Sequence, residues 1–380
     1  MIKDAAYWIA FAHLPKWRYS RLNELLNKIY NENNLTLEDF FSLSEKERAE
    51  QFELIEKEAE DILKSKRELP NHAFLAENLS NQGFELITVL SPDYSQTLIR
   101  NYKQGYSPVL FYVKGNKKIL KEKSVAIVGS RNANEISIKF TDNIAKKASK
   151  EFKVVVSGFA KGVDKQALDS VINYKGQSII VLPQGVLTFG SGYKEYYKPI
   201  VEGNVLVLSA YHPNTPWRAE LAMARNALIY GLADEIYVAE SGETGGTWSG
   251  VIDGLRRGRK IFVRQPDSNE KNANNILIQK GAVAVDMKGN EFGIVYERTV
   301  STGDIPLIKD SSFNLDEKIK FHLKGKSLSA KELKAKLNID WTTNKLSNYL
   351  KKLPFVVHHK EKKAIRYVVN EQSSMFDDEL

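Results

Sequence analysis

The chain has no cysteine in 380 residues, which excludes disulfide frameworks, thiolate metal sites and cysteine nucleophiles. Its six histidines show no HExxH-type spacing, so the commonest zinc-hydrolase signature is missing as well. No run approaches the ~20 apolar residues of a membrane-spanning helix. The opening Met1-Ile2-Lys3-Asp4-Ala5-Ala6-Tyr7-Trp8 carries an acid early and an apolar run too short for a secretory leader. A cytoplasmic address and no membrane partner are the resulting expectations. Negative charge is in deficit, with 47 Asp and Glu against 55 Lys and Arg and a formal net charge of +8. A basic balance favours a polyanionic partner through counterion release, although it serves solubility equally.

What is present is organised in blocks. A hydrophobic content of 42% over this length suits two or three cores at the usual ~100–200 residues per domain. Residues 1–83 read as a small helical module of the SAM or helix-hairpin-helix kind. Leu22, Leu25, Leu26 and Ile29 fall at helical spacing; residues 36–41 suggest a further short helix, and Ser44 with Glu47 opens another with a capping-box pattern. Residues 84–296 begin with short β segments at 84–89 and 108–113 on either side of a turn-rich stretch. They then alternate strands at 124–128, 153–156, 178–182, 204–208, 235–239, 260–263 and 282–285 with helices at 135–150, 163–174, 218–232, 247–257 and 273–280. Most of these strands are almost wholly apolar, as buried parallel strands are. The predicted fold class is therefore α/β, a Rossmann-like doubly wound, mostly parallel sheet. A linker at 297–312 leads to a last domain at 313–370, where helices at 315–323, 329–337 and 342–353 and a hairpin at 355–358 and 364–369 make a winged-helix pattern. An acidic tail, 371–380, follows.

A doubly wound sheet places ligands at the carboxyl ends of its strands, and there glycines recur. After the first central strand come Gly129-Ser130-Arg131 and, within a few residues, a helix. Glycine admits an anion close to the backbone, Ser and Arg donate hydrogen bonds, and the helix start adds unpaired N–H groups. An ordinary strand-to-helix turn with a solvated arginine is the competing reading. The second strand ends in Ser157-Gly158-Phe159-Ala160-Lys161-Gly162-Val163-Asp164, where two glycines bracket Lys161 and Asp164 is placed to cap or orient the first turn. Gly185, after the third strand, reads as a structural exit glycine. Past the fifth strand, Gly245, Gly246 and Thr247 open another helix, without the Gly-Lys-Ser/Thr ending of a P-loop. Nor is Gly129-Ser130-Arg131-Asn132-Ala133-Asn134 a GxGxxG fingerprint, so neither triphosphate hydrolysis nor a dinucleotide cofactor is indicated. Trp217 and Arg218, followed by Arg225 and Asn226 in the next helix, add an indole and two guanidiniums. Single-strand binders stack bases on aromatic rings while cations hold phosphate; packing of Trp217 as a helix-start staple is the alternative.

The ordered series Gly129-Ser130-Arg131, the loop 157–164, Leu182-Pro183-Gln184-Gly185-Val186, Arg225-Asn226-Ala227-Leu228-Ile229-Tyr230-Gly231-Leu232 and Val238-Ala239-Glu240 resembles the DprA/Smf DNA-processing family. So do Pro92-Asp93-Tyr94-Ser95-Gln96-Thr97-Leu98, Pro108-Val109-Leu110-Phe111 and Gly115-Asn116 in the approach to it, and the resemblance runs from roughly residue 85 to 370. It implies a non-catalytic protein with no required cofactor that binds incoming single-stranded DNA in natural transformation, protects it and helps load a RecA-type recombinase. It also implies a homodimer formed through the central domain. Gly129, Ser130 and Arg131 match the family's Gly-Ser-Arg loop at the DNA pocket, Arg225 and Asn226 its Arg-Asn helix motif, and Gly158, Gly162 and Asp164 its second loop. The chain departs from the pattern at Ala222-Met223 (usually Phe-Pro), at Ala227 (usually Arg), at Thr244-Gly245-Gly246-Thr247-Trp248-Ser249 (usually Ser-Gly-Ser-Leu-Ile-Thr) and at Arg264-Gln265-Pro266 (usually Val-Pro-Gly).

In the last domain Lys345, Lys351, Lys352, Lys362 and Lys363, with Lys360 and Arg366, gather on the third helix and the hairpin. Those are the usual DNA-facing parts of a winged helix, a module that also serves as a protein-protein surface. A second functional class would use the same pocket for a nucleotide, as a ligand sensor or a phosphoribohydrolase-like enzyme acting on a nucleoside monophosphate. Glu243-Thr244-Gly245-Gly246-Thr247 partly echoes the Pro-Gly-Gly-x-Gly-Thr loop of such enzymes, and Glu220, Glu240 or Glu243 would supply the carboxylate that an oxocarbenium-like transition state needs.

Overall fold

Helix-start chemistry and apolar spacing account for the first elements, α1 (Ala5–Ala12), α2 (Tyr19–Asn27, continued by a π-helical turn at Lys28–Glu32), α3 (Leu37–Ser42), α4 (Glu45–Gln51), α5 (Glu56–Arg67) and α6 (Leu69–Asn81). Thr36 with Asp39 and Ser44 with Glu47 close reciprocal capping boxes on α3 and α4, and Leu22, Leu25, Leu26 and Ile29 are all buried. This computed structural model describes residues 4–102, 104–292 and, further on, 319, 322–323, 327–337, 341–351, 353, 356–361 and 364–369. The predicted linker and acidic tail lie outside the described residues. The chain divides into two compact units, Met1–Val295 and Tyr296–Leu380.

The first unit continues with β1 (Glu85–Thr88), α7 (Gln96–Tyr102), β2 (Leu110–Gly115), β3 (Ser124–Gly129), α8 (Glu135–Lys150), β4 (Val154–Ser157), α9 (Val163–Asn173), β5 (Ser178–Val181), α10 (Gly190–Glu195), α11 (Tyr197–Val201), β6 (Val205–Ser209), α12 (Ala219–Gly231), β7 (Glu235–Glu240), α13 (Gly246–Arg256), β8 (Ile261–Arg264), α14 (Asn274–Gln279) and β9 (Val283–Val285). The nine strands form one sheet in the order β1-β2-β6-β5-β4-β3-β7-β8-β9. β3 to β9 pair in parallel, while β1 and β2 join antiparallel on the β6 side. The predicted α/β, mostly parallel sheet is what the chain forms.

Strand alternation divides the core. Val125, Ile127, Val155, Tyr237 and Phe262 face α8 and α9 in one cluster, whereas Ala126, Val128, Val154, Val156, Ile236 and Val263 point to the opposite face, in the cluster that also holds the cores of α1, α2 and α3. α8 shows how local signals cooperate. Asn134 accepts the Ser137 N–H as N-cap, Glu135 sits in the first turn, and Lys147 and Lys150 sit in the last, each favourable to the helix dipole. The strand-poor signals of α10 and α11 are different, since Gly190, Gly192 and Pro199 disfavour helix. Gly192 is required there because a Cβ would meet the Phe189 ring at 2.0 Å.

The second unit contains β10 (Leu328–Ser329), α15 (Ala330–Leu337), α16 (Thr343–Leu350), β11 (Val356–Glu361) and β12 (Ala364–Val369), with a three-stranded antiparallel sheet in the order β10-β12-β11. Ile319, Leu323, Leu333, Leu346, Leu350 and Tyr367 form its buried core.

Candidate functional site

The strand order fixes where a ligand fits. From β3 the chain moves outward to β4, and from β7 it moves outward to β8 on the other side, so the carboxyl ends of β3 and β7 bound the crevice of a topological switch point. A cleft of about 450 Å³ opens there. Of the residues singled out in the sequence, Gly129, Ser130, Arg131, Arg225, Asn226, Gly245, Gly246 and Thr247 line it. Ser157, Gly158, Lys161, Gly162, Trp217 and Arg218 do not. Ala160, Asp164, Ala219, Ala222, Met223, Ile229 and Tyr230 also line it, the apolar ones carrying no chemical signal in sequence.

Of the helices that begin at this rim, α8, α9 and α13 differ in what their N-termini have left to offer. At α8 the β3–β7 ladder shifts register between Val128 and Gly129, and the Glu240 carboxylate accepts the Asn134 N–H at 3.1 Å and the Ser137 hydroxyl at 2.9 Å. An internal carboxylate thus holds the helix start that the sequence reading offers to an external anion. Behind it, Arg264 is buried and paired to Glu270 at 2.6 Å, and it donates to the Ser137 hydroxyl and the Ala239 carbonyl. At α9 the neighbouring Ser157 hydroxyl donates to the Asp164 carbonyl. Asp164 is buried, and burial pushes its carboxyl up to about 6 against the opposing pull of the Arg225 guanidinium and the N–H groups of Gly158 and Ala160. Those N–H groups are directed inward at Asp164. Gly162 is needed twice over, for a φ of +83° and because a Cβ would meet the Ser130 carbonyl oxygen at 2.4 Å.

α13 is the exception. Its N-cap is Gly245 at φ +93°, with no side-chain cap and no acid in the first turn, so its first amides open on the cleft. Two arginines accompany them. Arg131 is exposed and makes no side-chain hydrogen bond or ion pair among the described residues, though its charge is felt by Asp164 and Arg225. Arg225 is 3% exposed, donates Nη1 to the Val181 carbonyl at 2.8 Å and leaves Nε unpaired; burial lowers its pKa while Asp164 raises it. Its guanidinium occupies the space a Cβ on Gly158 would fill.

The peripheral candidates are placed differently. Lys161 is exposed; Trp217 is 52% exposed, unlike a packed staple, and Arg218 pairs with Glu220 at 3.4 Å. Neither Glu220, Glu240 nor Glu243 lines the cleft. In the second unit Lys345 is exposed over the Trp341 ring at 4.7 Å and Lys351 is exposed at the end of α16; Lys352, Lys362 and Lys363 lie outside the described residues. Among the described residues no group of His, Asp or Glu is arranged to hold a metal ion, and no helix is long and apolar enough to cross a membrane.

A narrower groove of about 200 Å³ runs between α12 and α13 and shares Met223, Asn226, Tyr230 and Gly246 with the cleft. Ala227, one of the departures noted above, is exposed and lines it.

Comparison with known proteins gives a consistent picture. The family model described as DNA recombination-mediator protein A matches residues 85–293. The chain is 30% identical over 181 residues to the DNA processing protein DprA of Streptococcus pneumoniae, covering 48% of this chain but only 63% of that protein, less than two thirds of its length. It is 27% identical over 223 residues to the DNA processing protein DprA of Bacillus subtilis, 58% of this chain and 74% of that one. The X-ray structure of DNA processing protein A from Streptococcus pneumoniae superposes with a TM-score of 0.60 at 25% identity, over 73% of this chain and 93% of the other.

Proposed function

Because the chain belongs to the DNA recombination-mediator protein A family, we propose that its central cleft binds the backbone of single-stranded DNA. The observation that carries this reading is the pairing of an uncapped helix start, α13, with the exposed Arg131 and the buried, incompletely bonded Arg225 in one cleft. Such a seat suits a phosphate. The role is binding without catalysis or cofactor: the protein protects incoming single strands in natural transformation, acts in the cytoplasm as a homodimer and helps load a RecA-type recombinase. The second unit is read as a winged helix whose exposed Lys345 and Lys351 give an accessory contact to duplex DNA. The carboxylates a nucleotide enzyme would use, Glu220, Glu240 or Glu243, do not line the cleft, and the Asp164 carboxyl that does is engaged by the N–H groups of Gly158 and Ala160.

Fluorescence anisotropy with a labelled single-stranded oligonucleotide, across a salt series and against duplex, tests the reading. Single strands should be preferred, with affinity falling steeply with salt. Arg131→Ala should weaken binding by at least about tenfold, in line with ~1.5–3 kcal/mol for a charged hydrogen bond, and lower the salt slope by about 0.7. Binding that ignores both salt and Arg131→Ala would sink the assignment and turn attention to small nucleotides.

A further inference from the structure

The cleft and the groove beside it divide polar character in a way that matches one nucleotide. In the cleft, Arg131 is exposed without a side-chain hydrogen bond among the described residues, and the charged, buried Arg225 forms part of the wall. The groove's lining is mostly apolar: Arg257 pairs through Nε with Asp253 at 2.8 Å and lies over the Tyr102 ring at 4.8 Å, and Arg259 donates to the carbonyls of Tyr230 and Ala233. An uncharged, flat ring meets small side chains, Ala224, Ala227 and Gly250, and the aromatic walls of Tyr102 and Tyr230.

The boundary between the two is a single neutral amide. Asn226 lines both spaces, and its carboxamide makes no hydrogen bond among the described residues. It lies across the start of α13, where a Cβ on Gly246 would come within 2.5 Å of its Nδ2. A carboxamide offers donors and an acceptor side by side, the complement of a base edge.

We infer that the α12–α13 groove is a nucleobase slot. A base enters beside Tyr102 and Ala227 with its edge at Asn226, while the attached phosphate sits at the α13 N-terminus between Arg131 and Arg225. This slot rests on the proposed backbone binding in the cleft and adds a base-dependent component to it. The groove's volume of about 200 Å³ accommodates a heterocycle but not a folded segment of a partner protein.

The test compares a single strand with the same strand carrying abasic sites, on the full chain. The base-bearing strand should bind roughly five- to tenfold tighter, the size of one stacked base. Ala227→Phe, which fills the groove from an exposed position, should bring both strands to the abasic level, whereas Ala227→Ser should keep the difference. A 2-aminopurine in the strand reports on the wild-type protein directly: its emission should be quenched on binding and stay bright with Ala227→Phe. Equal affinity for the two strands, or unquenched 2-aminopurine bound to wild type, overturns the slot while leaving the salt- and Arg131-dependent reading intact. Loss of salt and Arg131 dependence would sink the backbone reading, and the slot with it.

Discussion

At the scale of single residues, burial decides which polar groups are free to act. Asp164 looks in sequence like a first-turn cap beside a lysine; in the structure it is 8% exposed and its carboxyl titrates near 6 instead of 3.8. A raised folded-state pKa adds stability that is fully present below the unfolded value and disappears as pH rises through the folded one. Asp164 should therefore contribute about 3 kcal/mol below pH ~3.8 that is lost by pH ~6 and above. Urea unfolding of the wild type and Asp164→Asn across pH 3.5 to 7.5 measures it, since the other carboxylates are common to both proteins. The wild type should lose ground to Asp164→Asn as pH rises; parallel curves would mean that Asp164 titrates normally. Arg225 teaches the same lesson. Sequence pattern marks it as a phosphate ligand, but the pattern cannot tell that Nη1 is already donated to Val181 and that Gly158 exists to make room for it.

At the scale of elements, the sequence was a good guide wherever apolar period and end signals agreed. β3 to β9, and the helices α8, α9, α12, α13 and α14 between them, lie within one residue of their predicted ends, because their strands are largely apolar runs and α8, α9 and α13 have clear apolar faces. α7 falls in a stretch that reads as turns, and α10 and α11 go unread, since their glycines and proline argue against helix and only contacts such as Gly192 on Phe189 explain them. The state of each helix start was not legible at all. The carboxylate at α8 comes from β7, far away in sequence, and Arg264, which braces it together with Glu270, stands in the Arg264-Gln265-Pro266 segment where the family pattern has Val-Pro-Gly. Arg264→Met should leave the Glu270 carboxylate, its side chain 7% exposed, without its cation but still accepting from Asn134, Asp267 and Asn272, at a cost towards the lower end of about 3–5 kcal/mol. A chemical denaturation midpoint shifted by far less would show that water reaches the pair.

For the molecule as a whole, fold class followed from the alternation of strands and helices, and the position of the cleft from the reversal of strand order at β3 and β7. What the sequence could not supply was the shape between loops, and therefore the groove beside Ala227. The division into Met1–Val295 and Tyr296–Leu380 gives a prediction at this scale. A chain ending at Val295 should keep its single-strand affinity within about twofold, because the cleft is complete within the first unit, and should lose any duplex affinity contributed by the second. Equal loss for single strands and duplex would place the principal DNA contact outside the cleft.

The carboxylate of Glu240 at the start of α8 has a thermodynamic consequence. With Asn134, Ser137, Arg264 and Glu270 already tied together around it, that side of the rim is ordered when the chain folds, before a ligand arrives. The conformational entropy of those loops is lost in folding and does not weaken association, so that side of the rim adds no ordering cost when a strand binds.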